Sequence, residues 1–403
     1  MFIGAISAQA IAFLASPVLT RLYAPDQMGT FAIYTSAIAV LALVSTARYD
    51  FAIISPHTDA VARALVAVVN VVALAMFTLS MVVLSSGLLI RYWLGDGSQN
   101  FWMLAVPFGV FCTAVQLGYS AYLMRHVRTG AIAIVRIMTA ICSSAFAIMF
   151  GHIGLGSWGL LLSSLIALSI AALLTYNMSG LPIAANIPRR RVFGAAKRYL
   201  DYPRVDLPSS LFGVVGGQLP TLLLGGLFGT SFLGFYALVD RVLAAPLNII
   251  GSAIGSVYRV RATQCNVTNG DFRKEFVRTF LQLLPAAILF FSPIMFFGEA
   301  IFSGVFGAKW RVAGQIAQTL APLYFIRFIA SPLSMSLYVR NKMKFDMRGQ
   351  ISLLSTAAVS MLIGWQFKDQ WLALRLMVFL NSAVYFMYVI YAYRLSGGER
   401  KAV

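Results

Sequence analysis

The sequence predicts an all-α membrane protein with about twelve transmembrane helices, arranged as two parallel-repeat six-helix lobes around a central cavity. Hydrophobic residues make up 60% of the 403-residue chain and charged residues only 11%, and a soluble chain could not bury that much apolar surface. The apolar stretches approach the length of roughly 20 residues that a spanning helix needs. Most of the Lys and Arg residues between them fall in alternate loops. Because backbone groups in lipid must pair internally, the spans are expected to be helices.

The predicted spans are the apolar stretches that lie between charged or turn-forming segments. In chain order they are about 1–19, 29–47, 64–90, 101–123, 131–153, 156–176, 208–230, 232–258, 277–297, 312–338, 350–367 and 371–393. Proline falls inside several of the later spans, where it bends a helix and is tolerated by its neighbours.

The distribution of positive charge predicts the orientation. Loops after even-numbered spans, together with the C-terminal tail, hold 22 of the 31 Lys and Arg residues, whereas loops after odd-numbered spans hold 5. By the positive-inside rule both termini are then cytoplasmic, and the chain is a multi-pass protein of the bacterial inner membrane. The net charge of +18 is therefore mainly a topology feature, with contact to anionic membrane lipids as a lesser role. No loop is large enough for a basic nucleic-acid-binding domain, so no nucleic-acid partner is expected.

Two connecting segments share a pattern 205 residues apart. Residues 22–32 link the first two spans, residues 227–237 link the seventh and eighth, and Leu, Gly, Ala and aromatic positions recur between them. Six spans separate the copies, so both have the same orientation in the bilayer, as in transporters built from parallel repeats. The alternative is chance similarity among apolar helices, which is less expected because hydropathy does not set Gly and aromatic positions.

A second repeated spacing also supports two lobes. Pro107 is followed 18 residues later by Arg125, and Pro322 is followed 18 residues later by Arg340. The predicted organisation is an N-terminal lobe at 1–176, a basic cytoplasmic linker at 177–207, a C-terminal lobe at 208–393 and a cytoplasmic tail at 394–403.

Two arginines lie deep in predicted spans, where insertion of Arg costs roughly 2.5–3.5 kcal/mol. Arg327 is near the middle of span 10, and Tyr324, Ser331 and Ser334 share its face. Arg241 is the next deepest, and Asn248 shares its face seven residues further on. We expect both arginines to line the cavity. Asp240, the only carboxylate in the predicted spans, points about 100° away from Arg241, so we expect it to pair with another helix.

Two further arginines lie nearer to span ends. Arg136 is five residues into span 5, where snorkelling to the cytoplasmic surface and lining of the cavity both remain open. Arg375 is four residues into span 12 from the outer side, and snorkelling is the favoured interpretation. The candidate substrate-binding set is thus Arg327, Arg241, Arg136, Arg375 and Asn248, with Asp240 a candidate for ion coupling. A cavity of this kind suits an anionic cargo; the alternative is that Asp240 and one Arg form a structural pair.

Several runs of residues resemble one known family. They are Arg198-Tyr199, Tyr202-Pro203-Arg204, Leu207-Pro208-Ser209, Gln218-Leu219-Pro220, 222–229, 234–238, Arg241-Val242-Leu243 and Pro246, with 19–25, 48–53 and 306–322 elsewhere in the chain. The pattern resembles the polysaccharide repeat-unit flippases (Wzx type) of the multidrug/oligosaccharidyl-lipid/polysaccharide exporter superfamily. The resemblance covers nearly the whole chain.

This resemblance implies a transport function. The cargo would be an undecaprenyl-diphosphate-linked oligosaccharide, moved from the cytoplasmic to the periplasmic leaflet by alternating access, with Arg327 and Arg241 holding the diphosphate or acidic sugars. The expected partners are this lipid-linked substrate, membrane lipids, and the polysaccharide polymerase and chain-length proteins. No cofactor and no metal is expected.

Functions of other classes predict other features. A membrane glycosyltransferase or polymerase needs carboxylates assembled at one face, but those of the predicted outer loops are scattered, and the sequence has no GxxxxGK[ST] or HExxH motif. The chain is therefore not expected to be an enzyme. A drug or cation exporter of the same superfamily would prefer an acidic cavity, whereas the spans here hold four Arg and one Asp.

Overall fold

The computed structural model describes residues 2–93, 101–181 and 187–397 as helices joined by short turns, with no strand among these residues. Within this part of the chain, eleven helices are long and apolar enough to cross a membrane. The predicted span 350–367 is also helical, but its helix, Met343–Gln366, is less apolar and is not one of the eleven. The all-α class is confirmed, and the chain is a multi-pass membrane protein.

The helices alternate with connections of only a few residues. In chain order they are α1 (Phe2–Leu22), α2 (Pro25–Thr46), α3 (Tyr49–Ala52), α4 (Asp59–Trp93), α5 (Ala105–Arg125), α6 (Thr129–Ile153), α7 (Ser157–Ser179), α8 (Arg189–Arg198), α9 (Leu207–Phe228), α10 (Thr230–Pro246), α11 (Ser252–Asn269), α12 (Arg273–Phe306), α13 (Arg311–Leu333), α14 (Met335–Val339), α15 (Met343–Gln366) and α16 (Gln370–Ser396). Short 3₁₀ helices occupy Phe101–Leu104 and Ala308–Trp310, and π-helical turns occupy Tyr202–Asp206 and Leu247–Gly251.

The longest helices extend well beyond their apolar stretches. Helix α4 has 35 residues, because polar residues at its start continue the backbone hydrogen bonding into the interfacial layer. Helix α12 has 34 residues, with a polar first turn and a kink at Phe297, where the backbone dihedral angles are non-helical. In the first turn of α4, for example, Asp59 pairs with Arg63 four residues later at 3.1 Å. Hydropathy therefore locates these helices but underestimates their length.

The chain divides into two compact units, Met1–Gln218 and Leu219–Val403. The division falls inside α9, so the basic segment predicted as a linker at 177–207 belongs to the first unit. Its Ala195 is buried in the core of that unit, which explains the difference from the sequence-based boundary. Residues 182–186 of that segment and residues 398–403 of the predicted tail lie outside the described part of the chain.

Four helix pairs recur in the two units. In the first unit α5 packs against α2, α4 and α7, and α6 packs against α7. In the second unit α13 packs against α10, α12 and α16, and α15 packs against α16. Counting spans from the start of each predicted half, these are the same four pairs. The packing of α1 against α6 in the first unit has no comparable counterpart between α9 and α15, so two copies of one bundle stay a prediction.

Arg125 and Arg340, each 18 residues after a proline, both donate hydrogen bonds to backbone carbonyl oxygens of their own units. Arg125, at the end of α5, donates to the carbonyl oxygens of Ile53 and Ile54 at 3.4 and 3.2 Å. Arg340, just after α14, donates to three carbonyl oxygens: Gly270 at 2.8 Å, Leu395 at 3.0 Å and Gly397 at 3.1 Å. Both side chains therefore join chain segments at the end of a bundle that is predicted to be cytoplasmic.

Candidate functional site

Arg327 lies near the middle of α13 with its side chain exposed, although the residues around it are packed. Tyr324, one turn earlier, is only 3% exposed, and its ring centroid lies 5.7 Å from the Arg327 guanidinium carbon. At this separation the ring face attracts the cation. The guanidinium thus lies beside the Tyr324 ring in a side chain that is otherwise exposed.

Asp240 on α10 is the acidic partner of this group. The Tyr324 hydroxyl donates a hydrogen bond to the Asp240 carboxylate, so α10 and α13 are joined at mid-span. This agrees with the expectation that Asp240 pairs with another helix. Tyr236, one turn before Asp240 on α10, is 5% exposed and, with Tyr385 of α16, lies within electrostatic range of Arg327.

We call Tyr236, Asp240, Tyr324, Arg327 and Tyr385 the charged cluster. It contains one cation and one anion, and three phenol groups that can donate or accept hydrogen bonds. Arg241 follows Asp240 directly, is exposed, and interacts electrostatically with that carboxylate. With Arg241 included, the formal charge of the region is +1. Asp240 thus lies within electrostatic range of both Arg327 and Arg241, and a cavity lined by the two arginines stays a prediction.

Asn248 lies seven residues after Arg241, within the π-helical turn Leu247–Gly251 that follows Pro246. Its side chain is exposed. Proline removes a backbone donor, and the wider π turn accommodates the gap in the hydrogen-bond ladder. The helix thus changes geometry immediately beyond the charged cluster, between α10 and α11.

Arg375 is placed differently. It lines a cavity of about 510 Å³ together with Gln315, Gln318, Thr319 and Trp371. Arg327 is not among these residues, so the two arginines do not share this cavity. Trp371 is not among the residues that the sequence predicted for the site, although its position four residues before Arg375 places both side chains on one face of α16. Gln318 also donates to the carbonyl oxygen of Phe296 at 3.3 Å, which fixes one wall.

Arg136 belongs to the first unit, on α6, and its side chain is exposed. Its participation in a cavity with the arginines of the second unit stays a prediction. Among the described residues, no group of three or more His, Cys, Asp or Glu side chains is placed to hold a metal ion.

The segment 48–53, singled out by its resemblance, has a structural role in the first unit. Arg48 is 12% exposed, stacks 3.6 Å from the centroid of the Phe51 ring and donates from Nε to Asp206 at 2.6 Å. Asp50 is 6% exposed, and its Oδ1 has no hydrogen-bond partner among the described residues. Burial raises the pKa of the Asp50 carboxyl, against the opposing effects of a Thr46 hydrogen bond and the Arg48 charge.

Comparison with known proteins identifies the family. A family model described as polysaccharide biosynthesis protein matches residues 18–315. The chain belongs to this family. The teichuronic acid biosynthesis protein TuaB of Bacillus subtilis (strain 168) is 23% identical over 136 residues, which are 34% of this chain and 28% of the TuaB chain. The match therefore spans less than a third of that relative.

Solved structures of transporters share the fold. An inward-facing multidrug resistance MATE family transporter of the MOP superfamily gives a TM-score of 0.71 at 12% identity, covering 96% of this chain and 94% of that one. Lipid II flippase MurJ, in an inward closed conformation, gives 0.72 at 10% identity, covering 97% and 87%. A MOP superfamily transporter from Pyrococcus furiosus gives 0.64 at 12% identity, covering 98% and 94%.

The family and the fold that the sequence motifs suggested are thus confirmed. This member of the polysaccharide biosynthesis family is a helical multi-pass membrane protein with the fold of MOP superfamily transporters. At these identities the structural likeness concerns the fold alone.

Proposed function

We propose that this protein translocates undecaprenyl-diphosphate-linked oligosaccharide repeat units across the inner membrane for surface polysaccharide synthesis. The observation that carries the proposal is the exposed guanidinium of Arg327 at mid-span, which lies beside the Tyr324 ring and within electrostatic range of the Asp240 carboxylate. A mid-membrane cation is costly unless it faces water, a counter-ion or a charged cargo. Membership in a polysaccharide biosynthesis family favours a cargo with an anionic linker.

The chemistry of Arg suits a diphosphate. A guanidinium is planar and permanently charged, and it can donate two parallel hydrogen bonds to one phosphate group. Tyr324 contacts Arg327 and also binds Asp240, so it limits the positions that the guanidinium can take. Arg241 supplies a second cation, which would allow the two phosphates to be held by separate side chains. Arg136, Arg375 and Asn248 are proposed to contact the sugar portion.

Transport is proposed to follow alternating access, in which the site opens to one leaflet at a time. Asp240 is the proposed ion-coupling residue. Its carboxylate binds Tyr324 and lies within electrostatic range of both Arg327 and Arg241, so a cation bound at this position would alter the net charge that the cargo meets.

The test of this site is complementation of a deletion strain. Arg327→Ala is expected to abolish surface polysaccharide and to leave lipid-linked repeat units on the inner leaflet, while Arg327→Lys retains part of the activity because it keeps the charge without the planar fork. Arg348→Ala, an exposed arginine on α15, serves as the matched control. A fluorescent C-terminal fusion reports membrane insertion of each variant. Normal surface polysaccharide with a well-inserted Arg327→Ala would overturn the proposal.

Two rival functions predict different results in the same strains. A glycosyltransferase or polymerase would extend sugar chains in a purified reaction with lipid-linked units, and a drug or cation exporter would change the susceptibility of the deletion strain to toxic cations. The translocation proposal expects neither. Orientation is checked with reporter fusions, which should place both termini in the cytoplasm. Co-purification tests the proposed polymerase and chain-length partners.

A further inference from the structure

Helix α8 carries an unusual charge distribution for its length. Its ten residues include five cations and no carboxylate, and the first turn opens with Arg189, Arg190 and Arg191. Positive side chains at a helix N-terminus oppose the helix dipole, which favours anions there. Among the described residues, none of these five side chains forms an ion pair. The first turn of α8 therefore lacks an internal counter-charge.

One side of α8 is fixed to the first unit. Ala195 is buried in a core cluster that includes Leu65 and Val69 of α4, and Val192 packs against the same cluster. The Tyr49 hydroxyl donates to the carbonyl oxygen of Ala196 at 3.1 Å.

These contacts set the depth of α8 in the bilayer. The α4 residues of this core cluster run from Ala62 to Val69. They lie three to ten residues after Asp59, the first residue of α4, and so within about 15 Å of the N-terminal end of that helix. The helix thus runs beside the outermost turns of a spanning helix, at the level of the headgroup layer.

The side of α8 that faces away from this core pairs an apolar residue with cations. Phe193 is 74% exposed. Arg189 and Lys197 lie four residues before and after it, so they flank its ring on the helix surface, and Arg190 borders the same side. All three cations are exposed. We name Arg189, Arg190, Phe193 and Lys197 the Phe193 face.

An exposed aromatic residue ringed by cations, on a short helix at headgroup depth, is the pattern of a membrane-surface helix. We propose that the Phe193 face docks on anionic phospholipid headgroups of the cytoplasmic leaflet, with the Phe193 ring inserted at the boundary of the acyl chains. The phosphates then supply the counter-charge that the first turn lacks. Since α8 leads through Tyr202–Asp206 into α9, this contact holds the start of α9 against the membrane surface.

The test is amide hydrogen exchange of residues 189–198 in the full-length protein, reconstituted in nanodiscs of phosphatidylcholine alone or with an equal part of phosphatidylglycerol. Exchange is expected to slow in the anionic discs. The double variant Arg189→Ala with Lys197→Ala should lose this protection. Because each cation near an anionic surface is worth about fivefold in partitioning, removing two should speed exchange up to about 30-fold in anionic discs only.

A matched control removes the same number of charges from another side of the helix. Arg191 and Arg198 lie about 140–160° around α8 from Phe193, and Arg191→Ala with Arg198→Ala should keep most of the protection. The variant Phe193→Ser should reduce it without any change in charge.

Three outcomes would overturn the proposal. Equal exchange in both lipid compositions would show that α8 is only a solvated basic helix. Equal effects of the two double variants would show that charge acts without an oriented face. Full protection in phosphatidylcholine discs by inorganic phosphate would show a soluble-anion site instead of a lipid surface. These measurements do not depend on transport, so they separate this proposal from the proposed function.

Discussion

The hydroxyl of Tyr324 on α13 donates a hydrogen bond to the carboxylate of Asp240 on α10. This bond joins two helices of the second unit at mid-span, and Arg327 lies one turn further along α13. The three groups form a chain of contacts in which a change at any one alters the surroundings of the others, which makes the arrangement testable by single substitutions.

The first prediction concerns the tyrosine donor. Tyr324→Phe removes a hydrogen bond to a charged acceptor in a packed site, and the loss is expected to be about 2 kcal/mol, seen as a lower thermal midpoint of the purified protein. Tyr338→Phe is the matched control, since its hydroxyl donates to Asp346 at 3.2 Å in an exposed setting, where the effect should be smaller. Equal midpoints for the two variants would contradict the importance of the Asp240 contact.

The second prediction concerns the close approach of α12 and α13. A methyl group at Gly298 would stand 2.8 Å from the Gly314 carbonyl oxygen, and backbone cannot move aside easily. Gly298→Ala is therefore expected to destabilise the protein by about 1–3 kcal/mol. Gly304→Ala in the same helix meets nothing within 4 Å, so it should be neutral or slightly stabilising. Similar thermal midpoints for the two alanine variants would refute the packing argument.

The third prediction compares the stability lost when Arg340 or Arg125 is substituted. Arg340→Gln loses three hydrogen bonds of 2.8–3.1 Å. Arg125→Gln loses two longer ones of 3.2 and 3.4 Å and a loose 3.9 Å ion pair with the half-exposed Asp59. Arg340→Gln should therefore cost at least about 2 kcal/mol and should exceed the cost of Arg125→Gln. Arg348→Gln, on the exposed side of α15, is the neutral control. A larger effect at Arg125 than at Arg340 would reverse this ranking.

The fourth prediction concerns pH. Burial raises the pKa of Asp50 above its ordinary value of 3.8, so the folded state binds a proton at a pH where the unfolded chain has lost it. Stability then falls as pH rises through this window, and the penalty remains at neutral pH. Asp50→Asn should be more stable than the natural protein at pH 7, and the difference in thermal midpoint should shrink as pH falls toward 3.8. A difference that stays constant with pH would contradict this.

The helices could be predicted from sequence because lipid exposure forces long apolar stretches. Their ends could not, since the polar turns of α4 and α12 continue the helix where the lipid stops. Span 350–367 shows the opposite case: it is helical, but Ser352, Ser355 and Ser360 reduce its apolar character. Hydropathy therefore predicts the positions of the helices better than it predicts their ends or their apolar character.

The candidate site was predictable in part. A mid-span Asp240 requires a polar partner, which sequence could state, but the choice of Tyr324 depends on how α10 and α13 pack. The cavity at Arg375 was missed because Trp371 reads as an ordinary apolar residue until α13 brings Gln315 and Thr319 beside it. The burial of Asp50 also could not be predicted from the sequence, because its segment has the composition of a short polar loop.

At Gly298 and Gly314 the backbones of α12 and α13 approach each other directly, since neither residue has a side chain. At this level one helix cannot shift without displacing the other. Arg327 lies 13 residues beyond Gly314 on α13, about 20 Å along the axis, and Pro322 lies between them. A movement of Arg327 relative to the glycine contact therefore requires α13 to bend, and proline is the residue at which a helix bends most readily.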